Sequence, residues 1–197
     1  MTEKTKTKEG SRLNIRVMCS VALMAAVCCI MGPLSIPIGP IPVSLTMVAV
    51  FLSEYALGTK WGTLSYVIYL LIGLVGAPVF SGFTGGVGKL FGPTGGYLFG
   101  MIFMGLITGL FITVSEKLSS KILKILVQTG GMILGAAVNY LLGTIYFISL
   151  THVSFTEGLM TCVVPFVAID MIKILLVLLV GNTVRKALTL ANLRIDK

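Results

Sequence analysis

Two charged side chains stand alone in a long apolar stretch near the C-terminal end of the sequence. Asp170 and Lys173 are the only charges in the 27 residues from Gly158 to Val184, a run long enough to cross a bilayer. Each charge costs roughly 2.5 to 3.5 kcal/mol near the middle of a spanning helix, and residues three positions apart share one helical face. A carboxylate acceptor beside an ammonium donor at lipid depth therefore indicates a site for a small polar solute.

The residues alone leave three interpretations of this pair open. The first is solute binding by both groups. The second is an ion pair within one helix, which neutralises itself and would suit a purely structural membrane scaffold. The third is a secondary transporter in which Asp170 titrates and couples the movement of a small polar solute to a proton gradient.

Composition places the chain in the lipid bilayer. Of its 197 residues 56% are hydrophobic and 11% are charged, against roughly 25% charged in ordinary soluble domains. The chain is therefore predicted to be an all-α integral membrane protein. One membrane domain fills it and leaves no room for a soluble catalytic domain.

Apolar runs between polar or Pro/Gly-rich breaks predict six transmembrane helices. A membrane domain of residues 15–186 lies between a basic tail, 1–14, and a C-terminal tail, 187–197. Only residues 57–60 separate the second and third runs, so these two should form a tight helical hairpin. Glu54 and Glu116 fall at span ends, where water is expected to solvate them. The runs are 15–32, 44–59, 61–77, 94–114, 124–149 and 159–184.

The basic residues predict the orientation in the cell membrane. Thirteen of the fifteen Lys and Arg residues fall in the second and fourth connections or at the two ends of the chain, where Arg16, Arg185 and Lys186 are counted with the tails that they adjoin. Because basic loops stay in the cytoplasm, both termini are predicted to be cytoplasmic. Anionic lipid headgroups account for the net charge of +8, so no nucleic-acid partner is needed.

Two of the predicted outer connections, residues 32–44 and 76–97, are apolar and rich in proline and glycine. Neither can be helical throughout, because proline lacks a backbone donor and glycine disfavours helix. Irregular backbone at lipid depth is tolerated where it packs on protein, so these segments are predicted to cover an outer ligand pocket. Asn139 and Tyr140 are its further candidate polar groups, and the candidate apolar walls are Phe80, Phe83, Phe91 and Tyr97.

The sequence offers no catalytic constellation. The string Gly85–Leu90 lacks the first glycine of a phosphate loop and the hydroxyl after its lysine. His152 is the only histidine, and the four cysteines lie in apolar runs. We therefore predict no catalytic residues, no metal site and no cofactor.

The Pro/Gly-rich segments also carry a family resemblance. Four parts of the sequence resemble the signature of the BioY family. They are Gly76–Phe80, Leu90–Tyr97 with its Gly-Pro-Thr-Gly-Gly-Tyr string, Pro40–Leu45 and the Asp170-x-x-Lys173 pair. The members of this family are the biotin-binding substrate subunits of energy-coupling factor (ECF) transporters. The resemblance covers roughly residues 15–186. It implies biotin uptake energised by partners: one transmembrane coupling (T) subunit and two cytoplasmic ABC ATPases.

The resemblance also implies roles for individual residues. The family's polar biotin contacts carry over to Asp170 and Lys173. Residues 44–47 depart from the family pattern, since many members have Thr-Leu-Gln-Thr there. Ala22 and Ala26 match the pattern that docks related subunits onto the coupling subunit, although small residues four apart also permit close helix crossing within one subunit. Further ligand contacts carry over to Phe80, Ser81, Thr84, Gly85 and Gly86.

Overall fold

The computed structural model describes residues 15–38 and 41–190. The predicted basic tail 1–14, residues 191–197 of the predicted C-terminal tail, and Pro40 lie outside the described residues. Two short strands follow the first helix: β1 (Ser35–Ile38) and β2 (Ile41–Ser44). The helices are α1 (Ile15–Met31), α2 (Thr46–Leu74), α3 (Val87–Leu90), α4 (Gly95–Glu116), α5 (Lys121–Thr151), α6 (Phe155–Cys162) and α7 (Val164–Leu190).

The helices are those of a multi-pass membrane protein. By length and composition, α4, α5 and the continuous segment formed by α6 and α7 can each cross a bilayer, while α1 is a shorter apolar helix. Large apolar side chains remain exposed along them, such as Leu110, Leu141 and Leu179. Helices cover each of the six apolar runs, and the sixth run is divided between α6 and α7. That all six runs cross the membrane stays a prediction.

Helix α2 reverses direction at Gly58. This residue has φ 76° and ψ 174°, a backbone conformation that only glycine adopts readily. A continuous helix would separate residues nine positions apart by about 13 Å. Instead, the Thr63 hydroxyl donates to Glu54 Oε1 over 2.9 Å. We call residues 46–57 α2a and residues 59–74 α2b, and the pair forms the predicted helical hairpin.

The first Pro/Gly-rich connection is more regular than its sequence suggests. β1 and β2 pair in antiparallel register, with Pro37 opposite Pro42. Opposed positions of an antiparallel ladder alternate between hydrogen-bonded and non-hydrogen-bonded pairs. Two prolines, which lack backbone N–H groups, fit the second type. β1 and β2 thus form a β-hairpin, distinct from the helical hairpin of α2. We call the end of the bundle that carries this β-hairpin the hairpin end.

Glycines bring α4 and α5 close together. A Cβ added at Gly96 would lie 2.3 Å from Tyr146, and one added at Gly131 would lie 2.3 Å from Phe111. Dispersion and close backbone contact drive helix association in lipid, where helices gain no hydrophobic free energy from packing. The α4–α5 pair therefore provides a rigid wall for the bundle.

The two acidic residues at predicted span ends have different environments. Glu116 ends α4 and pairs with Arg185 over 2.6 Å. Glu54, in contrast, has no exposed surface, so the expectation that water solvates it is wrong. The turn at Gly58 folds α2b and α4 over its side chain, and this tertiary contact has no local sequence signal.

Candidate ligand-binding site

Helix α7 carries the central polar pair. It begins at Val164, so Pro165 lies in its first turn; proline is tolerated there, because its missing N–H would be unpaired anyway. Asp170 and Lys173 lie in the following two turns. They are 6% and 8% exposed, so both face the interior of the bundle rather than lipid.

The pair is joined to two other elements. Lys173 Nζ lies 2.8 Å from Asp170 Oδ1 and donates to the backbone carbonyl of Ser44 over 2.8 Å. The Tyr140 hydroxyl of α5 donates to Asp170 Oδ2. A self-neutralising ion pair would need neither contact. The polar groups of α7, α5 and the end of β2 instead converge on one point at the hairpin end.

A cavity of about 60 Å³ lies at this point. Its apolar walls include Ile41, Val43 and Phe166, and its polar lining comes from Ser44, Tyr97, Asn139, Tyr140, Asp170 and Lys173. Ligand pockets usually combine a largely apolar wall with a few polar groups that fix orientation. Five predicted site residues therefore line one cavity: Asp170, Lys173, Tyr97, Asn139 and Tyr140.

Asn139 has an unmet hydrogen-bonding group. It is 4% exposed, and its Oδ1 atom has no hydrogen-bond partner among the described residues. Gly100 makes room for it, because a Cβ at that position would fall 2.4 Å from Oδ1. A buried acceptor without a partner costs about 1–3 kcal/mol. A ligand N–H in the cavity would remove this penalty.

A second cavity of about 540 Å³, open to the outer surface of the bundle, adjoins β2. Val43 and Lys173 line both cavities, and the remaining walls of the larger one are almost entirely apolar, including Met31, Leu34 and Ile169. Val43 of β2 and the side chain of Lys173 therefore lie at the boundary of both spaces.

Apart from Tyr97, its last residue, the second Pro/Gly-rich segment does not line the smaller cavity. Phe80 is fully buried and packs edge-on against Tyr69 of α2b. Backbone hydrogen bonds between Phe80 and Thr84 fold the segment on itself, and Gly85 packs on the Ala77 carbonyl. The structure therefore places Phe80, Ser81, Thr84, Gly85 and Gly86 beside the site rather than in the cavity wall.

Several cavity residues escaped the sequence reasoning. Ser44 contributes its backbone carbonyl, an atom that every residue type carries. Ile41 and Val43 are buried on alternate positions of β2, and this period of two is the signal that could have identified them. Cys162, one of the four cysteines in apolar runs, is buried and lines the cavity.

Ala22 and Ala26 lie on the outer surface of α1. Both are exposed, while Val21, Ala25 and Cys28 of the same helix are buried against the bundle. The close helix crossing within the subunit that the sequence also allowed does not involve these two alanines.

Known proteins share this sequence and architecture. A model of the BioY family matches residues 2–190. The biotin transporter BioY of Thermotoga maritima is 34% identical over 172 residues, covering 87% of this chain and 97% of the relative. Biotin transporter BioY2 of Lactococcus lactis subsp. cremoris is 34% identical over 174 residues, covering 87% and 91%.

A solved structure is similar over the same extent. The crystal structure of the S-component for biotin from an ECF-type ABC transporter superposes with a TM-score of 0.77 at 26% identity, covering 87% of this chain and 92% of that one. The family match, the two transporters and this structure agree with the resemblance noted in the sequence. The chain belongs to the BioY family.

Proposed function

We propose that this chain is the biotin-binding membrane subunit of an ECF-type ABC transporter and mediates high-affinity biotin uptake. Its relatives are biotin transporters and a biotin S-component, and none is an enzyme. The uptake is energised by partners: a transmembrane coupling (T) subunit and two cytoplasmic ABC ATPases. The cavity beside Asp170 is the biotin site.

The observation that carries this proposal is the set of groups that converge on the cavity. Biotin's ureido ring offers two N–H donors and one carbonyl acceptor. The unpartnered Oδ1 of Asn139 and the carboxylate of Asp170 are acceptors for the N–H groups, and Lys173 is a donor to a ligand oxygen. Tyr97 and Phe166 supply apolar surface for the fused rings.

Biotin entry requires the cavity to widen. Pockets for small ligands typically have volumes of about 300–1,000 Å³, well above the 60 Å³ present here. We propose that β2 shifts and that the widened site takes in part of the adjacent 540 Å³ cavity. The second Pro/Gly-rich segment packs against α2b and supports β2 as the cover of the site. It completes the site when ligand is bound, through Phe80, Ser81, Thr84, Gly85 and Gly86.

The position of Ala22 and Ala26 supports a docking face on α1. Small exposed residues four positions apart let a partner helix approach closely, and both alanines are exposed here. We propose that this face binds the coupling subunit. The asymmetry of basic residues supports an orientation with both termini in the cytoplasm and the hairpin end outside.

A thermal-shift screen of the purified protein tests the ligand assignment. Biotin should raise the melting temperature, because a ligand that binds only the folded state stabilises it, while riboflavin and thiamine should not. A shift with riboflavin or thiamine and none with biotin would refute the assignment. The proton-coupled alternative is not favoured by the relatives. Uptake by vesicles holding this chain alone that collapses with an uncoupler at steady ATP would support it.

A further inference from the structure

Glu54 is a fully buried acid outside the biotin site. It lies in α2a, two helical turns after Thr46, and has no exposed surface. The Thr63 hydroxyl donates to its Oε1 atom over 2.9 Å. In the described part of the chain, Oε2 has no hydrogen-bond partner and no cation pairs with the carboxyl group.

Three glycines make room for this carboxyl group. A Cβ added at Gly62 would lie 2.9 Å from the Cδ atom of Glu54, and one added at Gly105 would lie 2.9 Å from its Oε1 atom. One added at Gly109 would lie 2.5 Å from its Oε2 atom. Two of these glycines belong to α4 and one to α2b. The backbone thus encloses the carboxyl group from two sides and leaves no space there for a hydrated cation.

In the described part of the chain, no helix packed around Glu54 places a cation in an ion pair with it. From α1, the thiol of Cys28 is within electrostatic reach of Glu54. From α7, Arg185 donates to the Tyr55 carbonyl and pairs with Glu116. From α4, glycines face the group. An ionised carboxylate held here by one hydroxyl would carry a desolvation penalty of several kcal/mol.

We propose that Glu54 is a proton-binding site, neutral in this conformation, and that its proton is required for the close contact of α2a with α4. A neutral acid needs neither a cation nor extra space, and it fits the single hydrogen bond from Thr63. Ionisation would draw water to the carboxyl group and separate α2a from Gly105 and Gly109. The proposal is independent of the identity of the transported ligand.

Infrared spectroscopy of the purified full chain near neutral pH tests the proposal directly. The wild-type protein should show the carbonyl stretch of a protonated carboxylic acid, which moves to lower frequency in D2O. Glu54→Gln should remove this band, whereas Glu116→Gln should retain it because Glu116 is ion-paired. Absence of the band in the wild type, or its persistence in folded Glu54→Gln, would overturn the proposal.

Thr63→Val provides a second readout that does not depend on how well the glutamine variant folds. The Thr63 hydroxyl bonds the Oε1 atom, and loss of a hydrogen bond to a carbonyl oxygen raises its stretching frequency. The band should therefore shift upward in Thr63→Val. A matched change at Thr129, a half-buried threonine of α5 that bonds the backbone of its own helix, should leave it in place. An unshifted band in Thr63→Val would assign the proton to another acid and refute the proposal.

Discussion

The ammonium group of Lys173 lies 2.8 Å from the backbone carbonyl oxygen of Ser44, a residue 129 positions earlier in the chain. This contact joins the interior of α7 to the end of β2. The same ammonium group pairs with Asp170. One side chain therefore links the polar group at the centre of the site to the strand that lines both cavities.

Replacing Lys173 separates structural pairing from ligand binding. Lys173→Met should lower the free energy of unfolding by about 3–5 kcal/mol, because it leaves the Asp170 carboxylate buried without its cation. The double variant Asp170→Asn, Lys173→Met should regain most of that stability and still fail to bind biotin. Thermal melting and biotin titration measure the two effects. Lys186→Met, an exposed change on the same helix, is the control.

A double variant that binds biotin as tightly as the wild type would contradict the assignment of this pair to the ligand. The pair would then be a self-neutralising structural feature of α7.

Replacing Asn139 should weaken biotin binding and leave the stability of the unliganded fold almost unchanged. Asn139→Ala removes a buried acceptor that lacks a partner, so relief of about 1–3 kcal/mol should offset much of the lost packing. The unliganded melting temperature should change little, while biotin affinity falls at least several-fold. Calorimetric titration and thermal melting measure these effects, with the exposed Asn182→Ala as control. A large loss of stability with unchanged affinity would indicate a purely structural amide.

Gly100 should be intolerant of a single methyl group. A Cβ there would lie 2.4 Å from the Asn139 side-chain oxygen, so Gly100→Ala should displace Asn139 and destabilise the protein by about 1–3 kcal/mol. Biotin affinity should fall with it. Gly130→Ala is the matched change in α5, because its added Cβ meets nothing within 4 Å, and helix propensity should make it stabilising by about 0.5–1 kcal/mol. Equal effects of the two variants would refute this packing argument.

The α1 face should matter for uptake and not for binding. Ala22→Leu combined with Ala26→Leu places bulk where a partner helix would approach, so biotin uptake in cells that contain all the transporter subunits should fall sharply. Biotin affinity of the purified subunit should be unchanged, because both alanines are exposed and remote from the cavity lining. Ala137→Leu, at an exposed position of α5, is the control. Normal uptake by the double variant would exclude this face from docking.

Local sequence signals identified the fold and part of the site. Apolar runs and their breaks predict the helices, including the reversal at Gly58, because membrane helices are long and their interruptions are polar or Pro/Gly-rich. Asp170 and Lys173 were recognisable because a charge in an apolar run is costly. Their burial and mutual contact follow from spacing on one helix face.

The same local signals could not predict the contacts that the tertiary fold makes. Phe80 has the composition of a pocket wall, yet it packs on Tyr69 because Gly73 leaves space for its ring. Ser44 acts through its backbone carbonyl, which the sequence cannot distinguish from any other. Glu54 sits near a turn and thus resembles a solvated helix end, but the packing of α4 glycines over it decides its environment.

Titration of biotin into the purified wild-type subunit and into Asp170→Asn tests the central claim most directly. The wild type should bind biotin tightly at one site per chain. The asparagine variant keeps the shape of the side chain and loses the charge, so its affinity should be at least tenfold lower, a difference of about 1.4 kcal/mol. Equal affinities, or no binding by the wild type, would contradict the account.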